Sequence, residues 1–560
     1  MREFKKILPL VVIFILAFST RAIYLNQIKE DIAFIYQVAD SADYHAASIN
    51  LANRTSGEYY LGIGRVLFYC YFLGLIYKLG NSSIYLAVLI QAVMGAFVCC
   101  LLYWLGKKIF DHKTGVLSGI IAALYWPFIA FNAKTLPVNL AIFFSLLTII
   151  SIYKFALRKR VFWLILSGIS LSFSVLARPN IILFLPVMAL WILFNPSQQI
   201  QQGRAGGQKS PGFNPSNDVF SAREGASDFS PGGSTFYKKD SLKKGLVYSF
   251  LFISSFILST AIFTAADYRL RHEIIPLHKR FGVGIYLGSD INHVDIMPGY
   301  RWKKLRTHEV NEKNLITSKE RDVFWLNKTK ELIKKNPRQY INTLFKKIYI
   351  LWGDYEFSPN ESINYFREQS EFLSLLPIGF GFIGAFSIAG IVLAWRKFRK
   401  VALLIYLFIV AYQISMLLFL PLSRYRLPEV PFLILFASYA FFRFIDYLAN
   451  KEWSKVLKCI VFIVPLFILI NLDLFKSCLE SFERIHYEKG GIYLRHLNKP
   501  IEALKELKVA LKKHPLDADI YNSMKEAYIL LKDSSNADMA HKKSLEIIKK
   551  YSGPWEKLNN

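Results

Sequence analysis

The sequence predicts an all-α polytopic membrane protein, a bundle of about eleven transmembrane helices followed by a C-terminal α-helical repeat domain. Three observations predict it. Of the 560 residues 53% are hydrophobic and only 20% charged, a balance foreign to a soluble chain of this length. The apolar residues fall into blocks of about 18 or more, enough for a helix to cross a ~30 Å hydrocarbon core. Lys and Arg collect at the ends of those blocks, as cytoplasmic loops require. Isolated long blocks between charged loops do not suit a β-barrel, whose strands are shorter and alternate in polarity. The net charge of +28 follows the same loops, so topology explains it and no nucleic-acid partner is expected.

Taken in order, Arg2, Lys5 and Lys6 put the N-terminus in the cytoplasm. The apolar run to Ser19 lacks a small-residue cleavage site, Thr20-Arg21-Ala22-Ile23 following it, and reads as an uncleaved first span. Residues 25–80 then form a first external loop ending in an interfacial stretch, Val66 to Leu79. Spans 83–106, 115–132 and 136–155 follow, with Lys107, Lys108, Lys113 and Arg158-Lys159-Arg160 inside and the turn Asn132-Ala133-Lys134 outside. Spans 161–177 and 180–194 make an outer hairpin around Ala177-Arg178-Pro179-Asn180. Residues 196–237, rich in Gly, Ser, Pro and Gln, predict a disordered cytoplasmic loop. After Val247 to Ala265 comes a large external loop, 267–371, expected to fold against the membrane face. Phe372 to Trp395 and Val401 to Leu420 flank the basic turn Arg396–Lys400, and two more spans flank Lys451–Lys458. The last is short and carries Asp473; without it the C-terminus would lie inside. Every strongly basic short loop otherwise falls on one side, which predicts a multi-pass cell-membrane protein with its N-terminus in the cytoplasm and its C-terminus outside.

Residues 485–550 change character. Two helical pairs recur at a 34-residue offset, the first with Gly491, Ala503, Leu507, Ala510 and Pro515 where a tetratricopeptide repeat has its packing residues and terminal proline. The second keeps Tyr528 and Ala537 in register but has His541 where a bulky apolar residue belongs; a simple basic helical hairpin is the other reading. The five cysteines show no CxxC or CxxH spacing, so neither a disulfide framework nor a zinc knuckle is expected. His45, His272, His278, His293 and His308 show no ligand spacing. No cofactor is expected and no metal is assigned, a divalent ion being left open.

The informative stretch is the first external loop, Asp40-Ser-Ala-Asp43-Tyr44-His45. Asp40 and Tyr44 are four apart and share a face if the segment is helical. A carboxylate held at the outer surface can act as general base toward an acceptor hydroxyl, although a loop aspartate is ordinarily just solvated, and Asp43 can equally be that idle acid. Cations recur on the external side: Lys134 in the 132–137 turn, Arg178 in the next hairpin, and Arg424-Tyr425-Arg426 ahead of the tenth span. External arginines run against the charge bias that sets the topology. Binding an anionic phosphate at headgroup level explains them, and snorkelling to lipid headgroups is the alternative.

Asp40 and Tyr44 resemble the Asp-x-x-x-Tyr core of a first-loop signature in the GT-C superfamily of membrane glycosyltransferases. The nearest branch is the bacterial relatives of dolichyl-phosphate-mannose protein mannosyltransferases and aminoarabinose transferases (glycosyltransferase family 39-like). Further segments resemble that branch in the same order: Ile84 to Gly115, Ala123-Leu-Tyr-Trp-Pro127 with Lys134-Thr-Leu-Pro137, Leu176-Ala-Arg178-Pro179, and Phe281 to Gly288. Then come Leu351-Trp352-Gly-Asp-Tyr-Glu356 with Asn360, and Ser423-Arg424-Tyr425-Arg426-Leu-Pro428. The resemblance spans roughly residues 5 to 445, within a GT-C-like domain at 1–480. Three departures stand out: Asp40 is followed by Ser41 rather than Glu, Ser48 stands four past the tyrosine where alanine is usual, and the helix 3–4 turn offers Lys134 and Asn139 rather than an acid.

The resemblance implies an inverting transfer of a sugar from a polyprenyl-phosphate donor to an acceptor hydroxyl of protein, lipid or glycan. Asp40 would be the base, with Tyr44 and Asp43 beside it; Lys134, Arg178, Arg424, Tyr425 and Arg426 would surround the lipid phosphate. Residues 485–550 would meet a protein partner or acceptor. The rival readings are a multi-pass transporter or lipid flippase, which calls for ionisable groups near the bilayer midplane and inverted repeats, and a scaffold working through its repeats.

Overall fold

The computed structural model describes residues 2–53, 67–194, 233–272, 281–289, 317–358, 363–472 and 484–551, together with residues 274, 315 and 474. Most of the 196–237 loop, much of the 267–371 loop, Asn360 and Asp473 lie outside the described residues. Residues 233–237, at the end of the expected disordered loop, begin the helix Gly233–Arg271.

The described residues form helices and turns. Among the described residues seven helices are long and apolar enough to cross a membrane, including Ile7–Ile28, Ile84–Ile109, Val138–Arg158, Leu242–Arg271 and Val430–Ala449. An eighth crossing arises if His112–Leu124 and Trp126–Asn132, bent by 53°, count as one. The expected straight span 115–132 is thus broken. Tyr125 leaves the helix in an extended conformation, and Pro127 opens the second half, where its missing N–H costs nothing. Val161–Ala177, Pro179–Phe194 and Val401–Leu417 are apolar but shorter, so length alone supports fewer crossings than eleven.

Helical geometry runs without interruption from Phe380 to Leu417, yet the chain reverses within it. The Tyr406 hydroxyl donates to the Ile391 carbonyl at 3.4 Å, and the Trp395 and Tyr406 rings lie 5.1 Å apart. Fifteen residues of straight helix would separate Ile391 from Tyr406 by about 22 Å. The reversal falls at the basic turn Arg396–Lys400, whose charges keep it out of the hydrocarbon.

Small residues let the helices close on one another, as they must where lipid supplies no hydrophobic drive. Gly106 faces Gly115 across the pair Ile84–Ile109 and His112–Leu124. A Cβ on Gly115 would stand 2.6 Å from the Tyr103 carbonyl oxygen and 2.7 Å from the Lys107 nitrogen.

The segment expected as the first external loop contains the short helix Ile32–Ile35 and the helix Ala39–Asn53, and the stretch expected at the interface is the helix Phe68–Leu79. At the C-terminus, helices Ile485–Arg495, Pro500–Lys513, Ala518–Leu530 and Ser534–Tyr551 share a core of Leu494, Ala503, Leu504, Leu507, Ala510, Ile520, Met524, Ala527 and Ala540. The close approach of the first two is at Gly490, not Gly491: a Cβ there would meet the Leu507 side chain at 2.7 Å. Ile485 and Ile492 join the core of the membrane part.

Gly115→Ala is expected to force those two helices apart, because the opposing atoms are backbone and cannot swing away; overpacking of this kind costs about 1–3 kcal/mol. Thermal unfolding in detergent should show a lowered apparent Tm for Gly115→Ala and none for Gly491→Ala, whose Cβ would meet nothing nearer than 3.8 Å.

Candidate active site

The chain arrives at Asp40 through an unusual backbone. Gln37 and Ala39 both have left-handed φ values, 54° and 49°, a conformation that costs a non-glycine residue of order 1–3 kcal/mol and persists only where neighbours impose it. They do. The Gln37 amide nitrogen donates to the Phe34 carbonyl, and the Thr135 hydroxyl lies 2.6 Å from Gln37 Oε1 and 3.2 Å from the Ser41 carbonyl oxygen. The turn that carries Lys134 therefore braces the start of the helix Ala39–Asn53. Asp40 sits in the first turn of that helix, where unpaired N–H groups favour a carboxylate.

Tyr44 shares the helix, as its spacing predicts, but turns inward. It is buried, edge-on to the Tyr69 ring at 5.3 Å. Asp43 is exposed and lies close enough to Glu488 of the C-terminal helices for the two acids to repel. His45 Nδ1 is 2.6 Å from the Tyr77 hydroxyl, and burial pulls its ring down to about 4.

Opposite Asp40 stands the short helix Ser423–Arg426. Arg424 Nη2 lies 2.6 Å from Asp40 Oδ2, with the guanidinium buried and the carboxylate about one-third exposed. Arg178 completes the group: its Nη2 donates to the Arg424 carbonyl at 3.4 Å, and its guanidinium lies 4.6 Å over the Tyr425 ring. Arg424 reaches the same ring at 5.6 Å, and the Tyr412 hydroxyl donates to the Tyr425 carbonyl at 2.6 Å. Two guanidiniums, one aromatic face and one partly exposed carboxylate thus meet from three distant parts of the chain. Such a group can bind an anion at the arginines and take a proton at the aspartate.

Two of the expected phosphate ligands are differently placed. Arg426 directs its donors into the protein. Nη1 bonds the Leu351 and Gly353 carbonyls at 2.8 and 2.7 Å, Nη2 bonds Glu356 Oε1 at 2.7 Å, and the group lies 3.5 Å from the Phe380 ring centroid. At 1% exposure it is a structural clamp. Lys134 is buried too, its ammonium 3.3 Å from the Phe366 ring centroid. The expected outer turn is covered by helix Ile363–Glu368 and linked through Thr135 to the Asp40 helix.

Glu356 has no role in the sequence reading beyond its place in a resembling segment. It is the hub beneath the site: it accepts from Arg426 and from the Tyr125 hydroxyl at 3.2 Å, and Asn364 donates to its carbonyl at 3.1 Å. Burial pushes its carboxyl up and Arg426 pulls it back; Arg426, which burial would depress, is held above its ordinary range by Glu356. The Ser423 N–H donates to the Phe357 carbonyl at 2.8 Å, which joins this hub to the Arg424 segment. Among the described residues no three His, Cys, Asp or Glu side chains gather in a metal-binding group.

Removing one partner of a buried pair strands the other, at a cost of about 3–5 kcal/mol. Arg426→Ala is accordingly expected to lower the unfolding midpoint sharply in a detergent melt, where Arg443→Ala, with its exposed partner Asp446, should leave it unchanged. His45 sets a pH dependence. Its folded value lies below 6.5, so the stability it contributes is complete above 6.5 and is lost as pH falls toward 4. His45→Gln should flatten the fall in Tm over that interval.

Residues 65–204 match the family of dolichyl-phosphate-mannose-protein mannosyltransferases, a stretch that includes Lys134 and Arg178 but not Asp40 or Arg424. No curated protein matches the chain significantly. Among solved structures, the oligosaccharyltransferase of Archaeoglobus fulgidus, in complex with zinc and sulfate, aligns with 82% of this chain and 52% of its own at 13% identity and a TM-score of 0.37. The same archaeal enzyme with an inhibitory peptide and a dolichol-phosphate aligns with 88% of this chain and 58% of its own, at 11% identity and 0.37. ArnT of Cupriavidus metallidurans, bound to undecaprenyl phosphate, aligns with 97% of this chain and 77% of its own at 11% identity and 0.40. This chain spans about half the length of the archaeal enzyme. The chain is a multi-pass membrane protein, all-helical among its described residues, and residues 65–204 resemble the dolichyl-phosphate-mannose-protein mannosyltransferases.

Proposed function

We propose that this protein transfers a sugar from a polyprenyl-phosphate donor to an acceptor hydroxyl at the outer face of the membrane, by inverting displacement with Asp40 as general base. The observation that carries the proposal is the ion pair between Asp40 and Arg424 at 2.6 Å, with Arg178 and Tyr425 beside it. A base and a phosphate ligand are needed within one substrate's length of each other, and chain folding alone brings these two together. The family match supports the donor class, since that family takes its name from a polyprenyl-phosphate sugar.

In the step proposed, Asp40 takes the proton of the acceptor hydroxyl as its oxygen bonds to the anomeric carbon. The bond from that carbon to the phosphate oxygen breaks, and its electron pair leaves with the polyprenyl phosphate. Arg424 and Arg178 offset the charge that grows on the leaving oxygen, an effect strongest where water is scarce. Without donor, Asp40 and Arg424 neutralise each other. A donor phosphate competes for the guanidinium, which has donors for both, and so releases the carboxylate to act as a base. The C-terminal helices, docked beside Asp43 and the helix Ile32–Ile35, are placed to present or orient an acceptor.

Transfer of labelled sugar from a polyprenyl-phosphate donor in membranes tests this. Asp40→Asn keeps the hydrogen-bonding shape but cannot accept a proton, and a lost general base lowers the rate by ~10²–10⁴-fold; Asp43→Asn is expected to be mild. Arg424→Ala should raise the donor KM, with Arg424→Lys recovering only part because a point charge cannot reproduce the guanidinium fork. Wild-type activity in Asp40→Asn, at equal protein level, would sink the catalytic assignment.

A further inference from the structure

The helix Pro337–Trp352 is built the wrong way round for water. Its buried positions are Thr343, Lys347, Ile350 and Leu351, while Ile341, Phe345 and Ile348 are 51%, 67% and 42% exposed. Spaced four and three apart, those three form one outward stripe. A helix in water turns its apolar stripe to the core; this one turns a lysine inward and a phenylalanine out.

The inward lysine shows at what level the helix lies. Lys347 Nζ donates to the carbonyls of Gly288, at 2.8 Å, and of Leu417. Leu417 ends the apolar helix Val401–Leu417, so Pro337–Trp352 runs at the depth where an apolar helix leaves the hydrocarbon. The flanking charge is strongly basic. Between residues 318 and 349 nine Lys and Arg (319, 321, 328, 330, 334, 335, 338, 346, 347) stand against three acids (320, 322, 331). Lys334, Lys335 and Arg338, at the turn into the helix, are exposed.

We propose that this helix and its entry turn form a docking surface for anionic phospholipid in the leaflet on the Asp40 side. Ile341, Phe345 and Ile348 lie among the upper acyl chains, and Lys334, Lys335 and Arg338 engage the headgroup phosphates. The charge argues for lipid over a second copy of the chain: nine cations against three acids over residues 318–349 complement an anionic headgroup layer and not a second copy of the same basic surface. The surface is also joined to the site, because Arg426 grips the carbonyls of Leu351 and Gly353 at the helix's far end. The inference does not depend on the transferase reading.

The test uses the full-length chain in nanodiscs of phosphatidylcholine with phosphatidylglycerol. Phe345→Cys carries an environment-sensitive fluorophore, and the unsubstituted chain with its native cysteines sets the background. Ile501→Cys, apolar and 57% exposed but on the C-terminal helices, is the comparison. Lipids spin-labelled near the head end should quench the label at 345 several-fold more than the label at 501. A label at 345 that lipid does not quench, or quenching equal at both sites, overturns the proposal. The wild-type chain should also retain phosphatidylglycerol above its bulk share on purification. Lys334→Gln/Lys335→Gln/Arg338→Gln, all at exposed positions, should bring it down to that share; undiminished retention overturns the anionic assignment.

Discussion

The buried pair of Arg426 and Glu356 is the constraint on which the rest of the site depends. The two residues are 70 positions apart and belong to segments with no common secondary structure. Arg426 holds the end of helix Pro337–Trp352 by two carbonyls. Glu356 holds Tyr125 at the break in the bent helix and, through its own carbonyl, Asn364. Four pieces of chain thus converge on one ion pair. Burying two charges is expensive, and a pair of apolar residues of similar volume would often be no less stable. What the ions provide is directional. Hydrogen bonds at 2.7–2.8 Å fix the Ser423–Arg426 turn in a way that apolar contact would not, and Arg424, two residues earlier, is thereby aimed at Asp40.

The other side of the ion pair is fixed with equal effort. Gln37 and Ala39 take up left-handed backbone so that the helix Ala39–Asn53 starts where its first turn faces Arg424, and the Lys134–Thr135 turn holds them there. Strain on one side and desolvated charge on the other are both costs that core packing must cover. Their concentration around a single partly exposed carboxylate is the physical reason to look for chemistry there.

Much of this was legible in the sequence, and what was not has definite causes. Block length and basic loops located the apolar helices, including the hairpin at Arg396–Lys400. The spacing of Asp40 and Tyr44 announced a shared helix. The break at Tyr125 is marked by Pro127, although the apolar run continues through it. Nothing local distinguishes Arg424 from Arg426: both precede an apolar helix, and which one binds Glu356 is decided by the register of a four-residue helix against a segment 70 positions away. Lys134 was expected at an open surface, but its cover, Phe366, comes from far along the chain. For Pro337–Trp352 the sequence shows two faces and not which one points inward, since that sign depends on whether the surroundings are water or lipid.

The C-terminal helices bear on topology in a way that counting apolar blocks cannot. The Tyr365 hydroxyl donates to Asp31 at 2.9 Å and receives a hydrogen bond from the Lys489 ammonium at 3.1 Å; Lys489 in turn pairs with Glu506 at 2.7 Å. The rings of Tyr36 and His496 lie 5.1 Å apart. The helix Ile485–Arg495 is therefore seated at the far end of Arg2–Ile28, whose 27 residues span about 40 Å. Its near end carries Arg2, Lys5 and Lys6. Chain ends at opposite ends of one membrane-length helix require an odd number of crossings between them. Seven long apolar helices alone satisfy that parity; so do eleven, if the bent pair and the three shorter hairpin helices also cross. Eight do not. The geometry thus supports a C-terminal domain on the same side as Asp40, within reach of whatever acceptor the carboxylate would deprotonate.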